Sequence, residues 1–155
     1  MRNDGRPTWA EIDLDALAHN FRVIRERVGP GVKVLAAVKA NAYGHGATEC
    51  STRLEREGVD WFGVALPEEG IELRKAGISR PILCMGGIWA GQENACIQKD
   101  LTPVVYRLDV VEALDRTAKD AGITLNVHLK IDTGMGRLGV RAKEVPDFCA
   151  ALERC

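Results

Sequence analysis

Apolar and polar positions change period repeatedly along the chain. Leu14, Leu17, Phe21, Ile24 and Val28 recur at helical spacing. Asp13 precedes them as a candidate N-cap, Asp15 sits in the first turn, and Gly29-Pro30-Gly31 stops the helix. Before it, residues 8–13 alternate in the manner of a short edge strand. After it comes a short apolar run that reads as a strand ending at Lys39. Further helices are predicted over 47–57, from Pro67 to a stop at Gly77, over 92–99, from Leu108 to a stop at Gly122, and over 142–154. Glu68 and Glu69 suit the amino end of the helix that Pro67 opens. Strands are predicted over 61–65, 81–85, 101–105 and 125–131.

Strands thus recur roughly every 20–30 residues with a helix between each pair, the rhythm of a parallel β/α array. A doubly wound sheet and a (β/α)8 TIM-type barrel share it. No G-x-G-x-x-G follows the first strand, which favours the barrel. Only about five βα units are present, whereas a closed barrel has eight. The fifth strand would then leave an open edge able to pair with further chain.

Composition narrows the function classes. At 46% hydrophobic and 28% charged residues, the 155-residue chain has enough apolar content to fold around a core. A net charge of -1 offers no footprint for nucleic acid. No apolar run is long enough to span a bilayer, and 1–7 has no apolar signal-peptide core, so a cytoplasmic location is expected. The five cysteines (Cys50, Cys84, Cys96, Cys149 and Cys155) include no C-x-x-C pair. They read as buried free thiols, with no metal site expected.

The chemistry concentrates in two stretches. In the first, Leu35, Ala37 and Lys39 share one strand face and Val34, Ala36 and Val38 the other. A lysine at the carboxyl end of a strand, with a small alanine beside it, can serve as a nucleophilic amine where ligands bind in α/β folds. Tyr43 adds a phenol donor, and Gly44 and Gly46 let backbone approach a ligand. The run Ala37-Val38-Lys39-Ala40-Asn41-Ala42-Tyr43-Gly44-His45-Gly46 resembles the cofactor-lysine segment of the alanine racemases, which use pyridoxal 5'-phosphate.

In the second stretch, Leu125, Val127, Leu129 and Ile131 alternate with Asn126, His128 and Lys130. Parallel strands are usually apolar on both faces, so three polar residues directed into the barrel need a reason. A buried lysine must be paired, neutral or modified. The run Lys130-Ile131-Asp132-Thr133-Gly134-Met135-Gly136-Arg137 is similar to the second signature of the same family. That resemblance implies a carbamylated Lys130 that positions Arg137, with Arg137 contacting the cofactor's phenolic oxygen and the substrate carboxylate. A carbamate offers the planar acceptor geometry a guanidinium matches. His128 and His45 read as structural, His19 as solvated, Trp89 as packing, and Gly86-Gly87 as a loop at the ligand mouth.

The resemblance further implies an alanine racemase interconverting L- and D-alanine for peptidoglycan. Lys39 would be both the cofactor's covalent anchor and the base on one face, and Tyr43 would hydrogen-bond the cofactor phosphate. The second acid/base, a tyrosine given by the partner of a homodimer, and the rest of the phosphate site match nothing here. Residues 1–13 would pack with a C-terminal β-domain that has no counterpart in this sequence, and 14–155 would be a partial barrel. The sequence therefore reads as the N-terminal part of a longer enzyme, inactive alone. A non-catalytic pyridoxal-phosphate-binding barrel, and a racemase for another small amino acid such as serine, are the alternatives.

Overall fold

The computed structural model of the chain describes residues 8–155. Helix α1 spans Leu14–Val28, with Asp13 Oδ1 accepting from the Asp15 and Ala16 N–H groups at 2.9 Å each. Strand β1 spans Leu35–Ala37, and a short left-handed turn spans Lys39–Tyr43. There follow α2 (Ala47–Arg56), β2 (Trp61–Val64), α3 (Pro67–Lys75), β3 (Ile82–Cys84), α4 (Glu93–Gln98), β4 (Leu101–Val105) and α5 (Leu108–Ala121). The chain continues with β5 (His128–Leu129), β6 (Ile131–Asp132), β7 (Val140–Arg141) and α6 (Val145–Leu152). Strands β1 to β5 form one parallel sheet in sequence order, as successive βα units of a TIM-type barrel do.

Register sorts the two faces. Ala36, Phe62, Ile82 and Leu101 lie in one row across the sheet. This row faces the helices: a Cβ added at Gly70 of α3 would stand 3.0 Å from Leu101 Cδ2 and 3.3 Å from Ile82 Cγ2. Glycine at 70 lets α3 lie close against the sheet. Phe62, Ile82 and Leu101 are fully buried there. Ala37 and Gly63 are partners on the opposite, inner face. That face curls, because Trp61 of β2 and His128 of β5 come within 5.5 Å between ring centroids although two strands separate them.

Most predicted elements form within one or two residues of their expected ends. Among the described residues, 8–13 pair with no strand, and Trp9 is 75% exposed. Met1–Pro7 lies outside the described residues. Three expectations are corrected. The 125–131 strand shortens to His128–Leu129, because the chain bends at Lys130 and pairs Ile131–Asp132 with Val140–Arg141 instead. Ile131 is exposed rather than packed against the helices. Among the cysteines, Cys50, Cys84 and Cys96 are buried, but Cys149 is half-buried and Cys155 exposed, since both lie at or beyond the outer turns of α6. No described helix is long and apolar enough to cross a membrane.

Two stability predictions arise here. Ser51 is fully buried in α2, and its hydroxyl has no hydrogen-bond partner among the described residues. Burying an unpartnered hydroxyl is unfavourable, so Ser51→Ala should leave the urea midpoint unchanged or raise it by up to about 1 kcal/mol of stability. Glu55 Oε1 accepts from the Ser79 N–H, the Ser79 hydroxyl and the Arg80 N–H at 2.8–3.0 Å. Burial pushes its carboxyl up, but these donors outweigh burial and hold it below the ordinary 4.5. A carboxylate lowered on folding stabilises above its unfolded value and loses that stabilisation as pH falls through the folded one. Urea titrations across the acid range should show stability falling below about pH 4.5, less steeply in Glu55→Gln.

Candidate active site

The chain leaves β1 at Ala37 and turns left-handed. Ala40, Asn41, Ala42 and Tyr43 have φ of 50°, 55°, 52° and 55°. Left-handed backbone costs roughly 1–2 kcal/mol per residue for L-amino acids, and asparagine alone of these three types visits it readily. Local bonds offset part of that strain. The Ala42 N–H donates to Val38 O at 2.8 Å, and the Gly44 N–H to Ala40 O at 3.0 Å. Asn41 Oδ1 accepts from the Ala47 N–H at 2.8 Å and so starts α2. His45 Nδ1 lies 2.8 Å from Ala42 O, the structural role expected of it.

This turn carries both residues of the first stretch. Lys39 is half-buried at the carboxyl end of β1, and its Nζ lies 5.9 Å from the Tyr43 ring centroid. Amine and phenol therefore stand on the same side. Ala37, exposed on the inner face, leaves room beside them. Gly63 is buried, and the Leu35 and Met85 side chains pack over it: a Cβ there would stand 2.7 Å from Leu35 Cδ2 and 3.0 Å from Met85 Sδ.

A hydrogen-bonded collar runs across the strand ends. Glu69 Oε1 accepts from the Ala40 N–H at 2.7 Å, and Oε2 from the Ala65 N–H at 2.7 Å and the Leu66 N–H at 3.2 Å. The Gly86 N–H donates to Ala65 O at 3.0 Å, and the Tyr106 hydroxyl to Gly86 O at 3.1 Å. Glycine is required at 86, where a Cβ would stand 2.6 Å from Ala65 O. The collar thus ties the carboxyl ends of β1, β2, β3 and β4 together. Glu69 reads from the sequence only as a helix-end charge. Trp89, expected to pack, is 66% exposed beside the 86–87 loop.

The second stretch lies at the same end of the sheet. The Lys130 N–H donates to Val105 O at 2.9 Å, and Lys130 O accepts from the Val140 N–H at 2.8 Å, so the bend is fixed on both sides. Asp132 Oδ1 accepts from the Gly134 and Gly136 N–H groups at 3.0 and 3.1 Å. Those donors hold its carboxyl below the ordinary 3.8. Gly139, at φ 132°, folds the loop back: a Cβ there would stand 2.5 Å from the Asp132 N. Lys130 is half-buried and Arg137 is exposed, and no hydrogen bond joins their side chains among the described residues. Two unmodified cations repel, which is a physical reason for them to stay apart.

An amine on a strand end, a neighbouring phenol and an arginine loop on the same rim form a set of donors suited to an anionic ligand bearing a carbonyl. The alanine racemase N-terminal domain model matches residues 12–155. The chain belongs to the alanine racemase N-terminal domain family. It is 48% identical over 153 residues to the alanine racemase of Citrifermentans bemidjiense, covering 97% of this chain and 40% of that protein. Against the Geobacter sulfurreducens alanine racemase the identity is 46% over 149 residues, covering 96% and 39%. Among solved structures, the alanine racemase of Clostridium difficile 630 superposes with a TM-score of 0.88 at 38% identity, covering 96% of this chain and 40% of that one. The Bacillus anthracis alanine racemase, solved with bound L-Ala-P, gives 0.84 at 36%, covering 96% and 38%. The chain therefore spans about two-fifths of the length of these racemases.

Proposed function

We propose that this chain provides the lysine-bearing part of a pyridoxal-phosphate-dependent alanine racemase. The observation that carries the reading is the placement of Lys39: half-buried at the carboxyl end of β1, with Tyr43 beside it on a left-handed turn, in a member of this family. The residues present fit the cofactor. Lys39 offers an amine for its aldehyde, Tyr43 a hydroxyl for its phosphate, and Ala37 is exposed beside them on the inner face. Bound there, pyridoxal 5'-phosphate would supply the electron sink that stabilises a carbanion at the amino acid Cα.

The side chains divide the remaining work. Lys39 Nζ takes and returns a proton on one face of Cα, from D-alanine by analogy with the family. Arg137 binds the substrate carboxylate and the cofactor's phenolic oxygen, for which the 133–139 loop must swing its exposed guanidinium over the inner face. A carbamate on Lys130 would turn a repelling cation into a planar acceptor and hold Arg137 in that position. The second acid/base and the remaining phosphate contacts belong to the part of the racemase beyond this match, as does dimerisation. On this reading residues 1–13 pack with that part, 14–155 form a partial barrel, and residues 1–155 alone racemise no alanine. The complete enzyme would act in the cytoplasm to provide D-alanine for peptidoglycan.

The test is chemical. The chain is incubated with pyridoxal 5'-phosphate, treated with borohydride, digested and mapped. Label concentrated on Lys39 supports the reading; label spread evenly over the exposed lysines refutes it.

A further inference from the structure

The left-handed turn after Lys39 runs against its own residue types, since Ala40, Ala42 and Tyr43 all disfavour positive φ. Such a segment persists only where its surroundings over-determine it. The bonds inside the turn secure its far end, through the Gly44, His45 and Gly46 N–H groups. At the near end, the Ala40 N–H reaches out of the turn to Glu69 Oε1, 29 residues away in sequence. A helix cap explains the bond from the Leu66 N–H to Oε2, because Glu69 is the third residue of α3. It does not explain the bond to Ala40. One carboxylate thus grips two loops and fixes the residue that immediately follows the candidate anchor.

We propose that Glu69 is a positioning residue for Lys39. By pinning the Ala40 N–H it sets the direction in which the Lys39 side chain leaves the backbone, and it ties that direction to β2 through Ala65. The collar from Ala65 through Gly86 to Tyr106 extends the same constraint along the rim. The proposal rests on the reading of Lys39 given above, so its test separates the two.

The informative variant is Glu69→Gln. Glutamine keeps the size and one acceptor oxygen, but its NH2 opposes an N–H where the second oxygen accepted. Glu55→Gln is the control. It weakens a carboxylate with three donors in the turn before β3, at the opposite end of the strands. The probe is pyridoxal 5'-phosphate. Lysine Nζ attacks its aldehyde carbon, C=N forms and water leaves; borohydride then delivers hydride to that carbon and fixes the label. Two quantities are read: label on Lys39 relative to the exposed Lys33, and, without cofactor, deuterium exchange at the Ala40 amide.

Losing one arm of a charged acceptor should speed Ala40 exchange by about tenfold or more and lower the Lys39-to-Lys33 label ratio by a similar factor. Glu55→Gln should lower the melting temperature and change neither quantity. Wild-type exchange at Ala40, or a wild-type label ratio, in Glu69→Gln overturns the proposal. The same shifts in Glu55→Gln overturn it too, since general destabilisation would then account for them. If the unsubstituted chain labels Lys39 no better than Lys33, the Lys39 reading fails, and the exchange result alone decides whether Glu69 fixes the turn.

Discussion

Replacing Lys39 with alanine should abolish the borohydride-fixed pyridoxyl label in the peptide around position 39 and remove the visible absorbance band that precedes reduction. The sequence holds seven lysines. Lys33, Lys75, Lys99, Lys119 and Lys143 are exposed, and only Lys39 and Lys130 are half-buried. Exposed amines have no bound ligand held beside them and compete weakly for an aldehyde. An amine held beside a bound ligand gains from proximity, so Lys39 should outcompete them by about tenfold or more. Lys39→Arg separates charge from chemistry: it keeps a cation near Tyr43 but has no nucleophilic amine, and should also lose the label. Neither substitution should shift the urea midpoint by more than about 0.5 kcal/mol, because Lys39 makes no salt bridge among the described residues. A full label in Lys39→Ala would move the anchor elsewhere, with Lys130 the next residue to map.

The sequence reads well where one physical signal acts alone. Strands β2 to β4 are short apolar runs between helix signals, and their buried row of Phe62, Ile82 and Leu101 follows from burial of one face by the helices. Parity in the run into β1 likewise put Val38 in the core, where it is buried. Reading fails where tertiary contacts override local preference. Nothing in Ala40-Asn41-Ala42-Tyr43 calls for left-handed backbone except the single asparagine, and the turn depends on Glu69 from another βα unit. The alternation over 125–131 is genuine, but Val140 captures the carbonyl of Lys130 and ends the strand early. Lys130 stands out from the alternation, but its pairing with Arg137 is expected only through resemblance, because residue types alone do not say how an exposed loop is placed.

At the end of the sheet opposite the candidate site, one side chain joins the entries to two adjacent strands. Arg74, at the last turn of α3, is 14% exposed and donates to four backbone carbonyls: Ile78 O at 2.8 Å, Arg80 O at 2.7 Å, Lys99 O at 3.0 Å and Asp100 O at 2.8 Å. Two of these precede β3 and two precede β4, so the guanidinium joins the entries to adjacent strands. Asp100 has φ 50°, a strained conformation that this bond helps retain. Burial pushes the guanidinium pKa down, yet a guanidinium stays charged at any working pH. Arg74→Ala would remove a charged donor from four carbonyls, and of these bonds the one to Ile78 O is part-buried. It should cost roughly 1–3 kcal/mol, seen as a fall in the urea midpoint without a change in slope. Lys at this position offers one point charge in place of a planar fork and cannot span both turns, so Arg74→Lys should recover less than half of the loss. A midpoint within error of wild type in Arg74→Ala would mean that strand pairing alone sets the spacing of β3 and β4. Because Arg74 and Lys39 lie at opposite ends of the sheet, labelling of Lys39 at low temperature should survive the substitution while stability falls, separating the framework from the chemistry it carries.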